Sequence, residues 1–535
     1  MEYPYAVGVV LPFEDVKIGN LLVLVLSTLF IIHIVRSIFT KDKSKHEKEE
    51  DSEKYKAFRN LPGPRPFPIR FIGNALQLPK RRDMHRMMDE MYAKYGPCYR
   101  LTVLNEDIVC LNTAPLAQVI LGSNDLNYFR KGEQYDIYFS GTEGIPMLSG
   151  EKWKTRRKMI SGSFKYKAFQ RYNPSFNKHT EKLVEQLDKL YQNGGIHTIN
   201  DEVKECVFKQ SSEAILGVDI SEDSGGTIFA KSLETYLNII AERLCKPWLL
   251  LNWVWRFHPL SAKQNEVFNK MINVTKTVLE GYKKQNKHTS NSLTKANDDI
   301  KGSGNSDFVS MIEVMLENGV SDKEIFEEVA ITLAVAHDTT SEAMQIALFL
   351  LALHPNHQEI CRAEADELFS DPTKYNDGNL QFSALPELKN LERCILESSR
   401  MLSLASILMR KLDAPLELQE GLVIPAGVTL YVFPPVIHKN PEYFPNPEKF
   451  DPDRFLPEPS KQRHPYAFLS FSAGPRNCIG TKLAIIEAKM MIAKILHKFV
   501  VTTPDKYEDI VIVPSVIPGP EKPIRFIFKR RNPAN

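Results

Sequence analysis

Several features that mark particular classes of protein are missing from this chain of 535 residues. Its seven cysteines form no Cys-x-x-Cys pair, which excludes a zinc-finger protein and is typical of a reducing compartment without a disulfide framework. The net charge is only +2, which argues against a protein that coats nucleic acid. No internal repeat is visible. Apolar residues make up 43% and charged residues 25%, an ordinary globular balance with ample material for a core.

One long uncharged run is present near the N-terminus, at residues 18–35. At about 1.5 Å per residue it spans roughly 27 Å, close to the thickness of the hydrocarbon layer of a bilayer. Lys17 is the only basic residue before the run and several lysines follow it, so the positive-inside rule places the bulk of the chain in the cytosol. A cleaved signal peptide is the competing interpretation, but acidic residues stand where a basic n-region is expected. We predict a retained, single-pass signal anchor in the endoplasmic reticulum membrane.

The composition divides the chain into three parts. Residues 1–40 carry the predicted transmembrane helix. Residues 41–68 are a charged tether that ends in a proline-rich stretch, which acts as a stiff hinge. Residues 69–535 form one large domain.

A short stretch near the C-terminus combines a cysteine with two glycines and an arginine, at residues 471–480. The helix N-terminus that follows Cys478 and the nearby Arg476 both favour negative charge, so we expect this thiol to ionise easily. Gly474 and Gly480 let a flat cofactor approach the backbone, and Phe471 shields the sulfur. These residues suit a cysteine that is an axial ligand to haem iron, with Arg476 paired to a propionate. The alternative is a small buried residue, which is the more common role of a lone cysteine. The helix is predicted from apolar residues at three- and four-residue steps: Leu483, Ile486, Met490, Ala493 and Leu496.

A long helix is predicted between the capping box at residues 321–324 and Pro355, on the order of 45 Å in length. A polar cluster at residues 337–341 interrupts its apolar sequence. Buried polar groups need partners. One explanation is a threonine bonded to the carbonyl four residues earlier, which bends helices.

The pattern Phe-x-x-Gly-x-Arg-x-Cys-x-Gly resembles the haem-binding signature of cytochromes P-450. Three further segments resemble motifs of that family and occur in its order: Trp-x-x-x-Arg at 153–157, the polar cluster at 337–341, and Glu-x-x-Arg at 397–400 with a later Arg454. The resemblance implies the cytochrome P-450 fold, mainly α with a small β region, preceded by one N-terminal transmembrane helix. Residues 69–535 would be its haem-thiolate catalytic domain.

The resemblance also implies roles for individual residues. Asp338 and Thr339 would relay protons towards dioxygen as the catalytic pair, and His337 would be a pocket or supporting residue. The remaining roles are Cys478 as the ligand of haem b; Trp153, Arg157, Arg410, Phe471, Gly474, Arg476 and Gly480 as cofactor-binding residues; and Glu397, Arg400 and Arg454 as a structural charge network.

Four positions depart from the family's pattern. Ala336 replaces a usual glycine and narrows the oxygen groove. Val335 stands where many fatty-acid ω-hydroxylases carry a glutamate that bonds to haem, so no haem ester is expected. Ser403 and Ser406 stand where prolines are common, which leaves the local strand geometry and the pocket lining open.

The implied activity inserts one atom of dioxygen into a lipophilic substrate, which is a fatty acid, a hormone-like lipid or a xenobiotic. The sequence looks most like the fatty-acid ω-hydroxylase and insect-type group. Electrons would come from NADPH through a flavoprotein reductase, with cytochrome b5 as a further candidate donor. Two alternatives remain: a haem-thiolate isomerase or dehydratase of lipid peroxides, and a non-catalytic haem- or lipid-binding membrane protein. The predicted docking residues are Lys154, Arg156, Lys158, Lys482 and Lys489.

Five local patterns complete the expectations. A helix is predicted at 83–95, followed by a hairpin of strands 99–103 and 108–111 with its turn at 105–107. The tryptophan-rich stretch 248–257 is either core or membrane interface. Residues 283–306 read as a surface loop, and 415–432 as a small β-hairpin region.

Overall fold

The computed structural model describes residues 53–68, 72–103, 106–132, 134–138, 142–192, 194–217, 226–293, 310–513 and 518–531. The predicted anchor at 1–40, residues 41–52 of the tether and residues 294–306 of the predicted loop lie outside these residues. Within them, no helix combines the length and the apolar character that crossing a bilayer requires.

Most of the described chain is helical, as the sequence predicts. The predicted helix at 83–95 begins at Met84, and the start of the predicted 283–306 loop is instead helical as far as Leu293. The helices are α1 (Lys56–Arg59), α2 (Met84–Tyr95), α3 (Ala114–Leu121), α4 (Gln134–Tyr138), α5 (Gly150–Ile160), α6 (Tyr166–Gln170), α7 (Asn173–Tyr191), α8 (Asn200–Leu216), α9 (Gly226–Cys245), α10 (Asn252–Phe257), α11 (Pro259–Leu293), α12 (Met311–Glu317), α13 (Asp322–Leu353), α14 (Pro355–Ser370), α15 (Lys389–Met401), α16 (Pro434–His438), α17 (Pro457–Gln462) and α18 (Thr481–Lys498).

The β structure is small and consists of one four-stranded sheet with several two-stranded pieces. The larger sheet has the order β1-β2-β8-β5, in which β2 and β8 run parallel and the other neighbours antiparallel. Glu106 and Asp107, predicted in the turn of the first hairpin, belong to β2 instead. The strands are β1 (Cys98–Val103), β2 (Glu106–Leu111), β3 (Tyr375–Asn376), β4 (Asn379–Leu380), β5 (Leu408–Lys411), β6 (Leu416–Gln419), β7 (Leu422–Ile424), β8 (Thr429–Val432), β9 (Phe499–Thr502), β10 (Ile512–Val513), β11 (Gly519–Pro520) and β12 (Ile527–Arg530).

Helix α13 is the long central helix that the capping box predicts. The Ser321 hydroxyl accepts a hydrogen bond from the backbone N–H of Glu324 at 3.4 Å, and the helix ends at Leu353 before Pro355. Most of its side chains are buried against α8, α15 and α18. A helix buried on nearly every side is a core element, which explains its almost continuous apolar sequence.

Helix α18 packs beside α13 and carries the cysteine loop at its N-terminal end. All five of its predicted apolar positions, from Leu483 to Leu496, are buried. The loop itself is fixed by Gly474, whose φ is +71°. A Cβ at this position would lie 1.8 Å from the carbonyl oxygen of Leu121 at the end of α3. Glycine is therefore required here by packing against α3, and the close approach that the sequence predicts is to protein backbone.

The tryptophan-rich stretch divides between the core and the protein surface. Trp255 is buried, donates a hydrogen bond from Nε1 to Gln264 at 3.0 Å and lies under the Arg243 guanidinium. Trp248 and Trp253 are each 55% exposed and Phe257 is 83% exposed. One indole is thus core, and three large apolar side chains lie on the surface.

A substitution at Gly474 tests the fixed loop geometry. Gly474→Ala forces a side chain into the left-handed region and against Leu121, so we expect the free energy of unfolding to fall by at least about 2 kcal/mol. Thermal unfolding of the purified protein measures this loss. Gly162→Ala is the matched control, because its Cβ would meet nothing within 4 Å. Equal midpoints for the two variants would contradict the packing argument.

A buried carboxyl in α18 gives the stability a pH dependence. Glu487 accepts a hydrogen bond from the Ser211 hydroxyl at 2.9 Å, and its other oxygen has no partner among the described residues. Burial raises the pKa of Glu487 to about 8 from its ordinary value of 4.5. The folded state therefore holds a proton that the unfolded chain releases, so this group lowers stability as pH rises between these two values.

Glu487→Gln keeps the hydrogen bond and removes the titration. We expect the variant to gain stability over the parent protein as pH rises from 5 to 8, by at most about 1.4 kcal/mol per pH unit. Unfolding midpoints of both proteins across this range measure the gain. Glu458→Gln, on exposed α17, serves as control. A stability difference that stays constant with pH would contradict the buried, protonated carboxyl.

Candidate active site

A cavity of about 530 Å³ lies between α13, the cysteine loop, α2 and the first sheet. Helix α13 lines it with one face, because the side chains concerned follow one another at intervals of three and one residues. The sheet contributes side chains from β1, β2, β5 and β8. The α13 side chains are Thr332, Val335, Ala336, Thr339, Thr340 and Ala343.

Cys478 lies on the opposite wall of this cavity. Its sulfur is accessible because it borders the cavity, although the residue lies deep in the protein. The backbone N–H of Cys478 donates to the Phe471 carbonyl at 2.9 Å, and its own carbonyl accepts from the Thr481 hydroxyl at 3.0 Å. These bonds hold the loop so that one thiol points into an otherwise mostly apolar space.

The predicted easy ionisation of this thiol is wrong for the loop by itself. Burial raises the pKa of Cys478 above its ordinary value, and this effect outweighs the Gly480 N–H, the Thr481 hydroxyl and the charge of Arg157. Coordination to a metal ion removes the proton from a thiol outright. The loop therefore positions the sulfur, and a metal partner is needed to keep it as thiolate.

Three cations line the cavity near Cys478: Lys131, Arg410 and Arg476. None of them forms an ion pair with a carboxylate within the described part of the chain. Burial, followed by repulsion from Arg410, lowers the pKa of Arg476 to about 9, and burial lowers the pKa of Arg410 to about 10. Burial also lowers the pKa of Lys131, with Arg476 and Arg410 adding to the effect.

Buried, unpaired cations call for an anionic partner. One thiol beside a group of cations fits haem b. The thiol can bind its iron ion, and the cations can pair with its two propionates. Sequence reasoning found Arg410 and Arg476 but missed Lys131 and Tyr135, whose ring lies 4.0 Å from the Lys131 ammonium. No spacing in the sequence marks these two, because only the fold brings them to the cavity.

Arg476 is also bonded to the protein. Its guanidinium donates to the carbonyl of Leu148 at 2.9 Å and to that of Phe129, and it lies 5.0 Å from the Trp153 ring. Arg157 donates to the backbone carbonyl and side chain of Asn477, at 3.1 and 2.9 Å. Trp153 and Arg157 thus brace the cysteine loop without lining the cavity, and their predicted role towards a propionate stays a prediction.

The predicted catalytic pair is divided between two faces of α13. Thr339 lines the cavity and its hydroxyl donates to the Val335 carbonyl at 2.7 Å, which is the backbone bond considered from the sequence. Asp338 points to α8, where its carboxylate lies 3.2 Å from the Lys204 ammonium. Lys204 also lies 3.7 Å from Glu342, so one cation serves two carboxylates.

His337 is not a wall residue of the cavity. It is buried, and its ring meets that of Phe208 edge-on at 5.7 Å. Burial lowers the pKa of His337 to about 4, so it is neutral at pH 7. Of the two predicted positions the pocket wall is excluded, and His337 is a buried residue next to Asp338, which leaves the supporting position.

The two serines that replace prolines shape the loop after α15. The Ser403 hydroxyl accepts from the backbone N–H of Ala405 at 3.3 Å, a local turn that substitutes for proline's rigidity. Ser406 lines the cavity, and its hydroxyl lies 2.8 Å from Nε2 of His85. The pocket lining at this point is polar, whereas proline would make it apolar.

Glu397, Arg400 and Arg454 come together behind the cysteine loop. Arg400 Nε donates to the fully buried Glu397 carboxylate at 2.7 Å, and Arg454 Nε donates to it at 3.3 Å. The backbone N–H of Asp451 is a further donor to this carboxylate, at 3.0 Å. None of these residues lines the cavity, which agrees with a structural role for this charge network.

Two of the five predicted docking residues are not available to a partner. Arg156 is buried in ion pairs with Glu324 and Glu328, both at 3.1 Å. Lys489 is buried beside Glu392 and the Leu385 carbonyl. The sequence shows a basic run but not which of its members turn inwards. The exposed residues are Lys154, Lys158 and Lys482.

Comparison with known proteins identifies the family. The family model for cytochrome P450 matches residues 62–528. Cytochrome P450 4c21 of Blattella germanica is 30% identical over 90% of this chain and 95% of its own length. Cytochrome P450 4c3 of Drosophila melanogaster is 29% identical over 88% of this chain and 89% of its own length. Cytochrome P450 4V2 of Homo sapiens is 28% identical, over 90% and 92% respectively.

All three relatives carry the name cytochrome P450 4, two of them from insects and one from human. The family uses haem b bound by a cysteine thiolate, takes electrons from a reductase and acts on lipophilic substrates. This chain therefore belongs to the cytochrome P450 family and is a haem-thiolate monooxygenase.

Proposed function

We propose that this enzyme hydroxylates a lipophilic substrate that lies between Thr339 and Cys478, with electrons delivered from NADPH by a membrane-bound flavoprotein reductase. The observation that carries the proposal is that one cavity holds both residues on its walls. When bound, haem supplies the activation of dioxygen, one atom of which enters the substrate while the other leaves as water.

The roles of the surrounding residues follow from their positions. Cys478 would bind the haem iron, and Lys131, Arg410 and Arg476, which line the same cavity, would hold the propionates. The Thr339 hydroxyl faces the substrate space and passes a proton on. Asp338, whose carboxylate contacts the Lys204 ammonium on the far face of α13, takes up a proton from solvent and hands it to Thr339.

The substrate class is a lipid or a xenobiotic of similar character. Methionines at α2 positions 84, 87 and 88 line one end of the cavity with Leu101, Leu244 and Leu250, and flexible thioethers adapt to varied apolar shapes. Fatty acids and hormone-like lipids both suit such a wall. Val335 lies on the cavity wall, so the chain offers no carboxylate there for a haem ester.

We place the enzyme in the endoplasmic reticulum membrane, anchored by residues 18–35 with the catalytic domain in the cytosol. The exposed Trp248, Trp253 and Phe257 support a second contact with the bilayer, because indole rings favour the membrane interface. Co-localisation of the tagged full chain with a marker of this membrane tests the location. A uniform cytosolic signal would contradict it.

The reductase docks on the exposed lysines around α5 and the start of α18, and cytochrome b5 is a candidate for the same surface. Lys154 and Lys158 lie on α5, directly beside the residues that brace the cysteine loop. Acidic partners are steered by such a surface at low ionic strength.

A charge reversal tests the docking surface. We expect Lys154→Glu with Lys158→Glu to raise the Michaelis constant for the reductase about three- to tenfold at low salt, because the long-range attraction becomes repulsion. Cytochrome reduction rates measured against reductase concentration show this change. Added salt should shrink the effect, and Lys461→Glu on exposed α17 should have none. An unchanged constant at every salt concentration would contradict the docking site.

Replacement of the proposed ligand tests the central claim. We expect Cys478→Ser to lose the red-shifted Soret band of the reduced carbon monoxide complex and all NADPH-dependent product formation, because the thiolate is gone. The difference spectrum of membrane-expressed protein measures the band. Cys98→Ser, in β1 and outside the cavity lining, should keep it. A histidine-type band in correctly folded parent protein would refute the proposal.

A further inference from the structure

The loop between α15 and β5 presents the Ser406 hydroxyl to the cavity. Its position is set from two sides. The Ser403 hydroxyl caps a turn at Ala405, and the Ser406 oxygen lies 2.8 Å from Nε2 of His85 on α2. Both serines are buried, and Ser406 is one of the residues that line the cavity.

Three other hydroxyls of the cavity wall are committed to backbone carbonyls. Thr339 donates to Val335 at 2.7 Å, and Ser399 donates to Ile395 at 2.9 Å. Ser470 donates to the carbonyl of Ser399 at 2.8 Å. As long as a hydroxyl donates to a carbonyl, it can only accept a hydrogen bond from a ligand.

Ser406 differs because its partner is an imidazole. If His85 Nε2 carries the proton, Ser406 accepts from it and its own proton is available to a ligand oxygen. If Nε2 is unprotonated, Ser406 donates to it and accepts from a ligand hydroxyl. The pair therefore adapts to either kind of oxygen.

The pair carries no charge at neutral pH. Burial lowers the pKa of His85 to about 4, with Lys439 adding to this effect and Asp89 opposing it. Lys439 and Asp89 are paired with each other at 2.8 Å. A carboxylate bound at Ser406 would thus lose its hydration without meeting an unpaired cation there, which is costly.

We propose that Ser406 and His85 form a subsite for one uncharged oxygen function of the substrate, a hydroxyl or an ester or ketone carbonyl. The methionines 84, 87 and 88, which flank His85 along α2, hold the apolar part of the same molecule. The substrate class becomes a neutral oxygenated lipid in place of a free fatty acid. This refinement rests on the proposed function, since it assumes that substrate occupies this cavity.

Binding of four matched eight-carbon lipids tests the subsite. The probes are octane, 1-octanol, methyl octanoate and octanoate, and calorimetry of the full-length haem protein in phospholipid nanodiscs gives their dissociation constants, corrected for partition into empty discs. We expect Ser406→Ala to weaken 1-octanol and methyl octanoate about five- to tenfold, the worth of one neutral hydrogen bond, and to change octane and octanoate less than twofold.

Two further variants separate the hydrogen bond from general damage. Ser406→Thr keeps the hydroxyl and should retain at least half of the parent's affinity for 1-octanol. Ser399→Ala removes a wall hydroxyl that is bonded to its own helix, and should leave all four constants within twofold. His85→Phe should reproduce the Ser406→Ala pattern.

Equal losses for all four probes in Ser406→Ala, or a loss confined to octanoate, would overturn the subsite. The carbon monoxide difference spectrum of the same preparations tests the proposed function separately. A normal thiolate band with probe binding that does not depend on Ser406 refutes the subsite alone. An absent band refutes the monooxygenase while the calorimetry still decides whether the subsite exists.

Discussion

The burial of positive charge beside the cysteine loop is the constraint on which the active-site architecture depends. The Arg476 guanidinium is held by backbone carbonyls of residues 129 and 145–148 and by the face of Trp153, so it fixes the segment between α3 and α5. Such carbonyls solvate a cation but do not neutralise it. Arg410 and Lys131 lie at the same edge, and none of the three cations forms an ion pair with a carboxylate among the described residues. Cofactor binding and loop order are therefore coupled.

Helix α13 also keeps a charged group away from the cavity wall. Thr339 turns to the cavity with its proton bonded to Val335, and Asp338 turns to Lys204 on α8. A carboxylate on the cavity wall would be exposed to an apolar substrate and poorly solvated. On the other face the Asp338 carboxylate lies in an ion pair with Lys204, one residue along the chain from Thr339. The polar side chains that interrupt this helix thus lie on different faces. This limits the free-energy cost of burying them.

The features that the sequence predicts well are local in the chain. The capping box at Ser321, the apolar spacing of α18 and the Glu397–Arg400 pair each depend on residues within one or two helical turns. The features that it misses depend on burial. Arg156 and Lys489 belong to ordinary basic patterns, yet the fold turns them inwards, and the pKa of Cys478 rises although its neighbours in sequence favour the thiolate. Lys131 reaches the cavity, and Ser406 contacts His85, only because the fold brings together segments that are distant in the chain. Residue spacing in the sequence does not predict such contacts.

The parallel pairing of β2 with β8 has a consequence for the order in which the chain is made. Ile108 pairs with Thr429, and Leu111 with Val432, so the sheet beside the cavity joins strands that lie more than 300 positions apart. During synthesis, the β1–β2 hairpin leaves the ribosome long before its neighbour exists, and its inner edge waits unpaired. Such long-range pairing is slow to form. The cavity walls from β1, β2, β5 and β8 therefore close late, and the nascent enzyme needs its open edge protected until residue 432 has emerged.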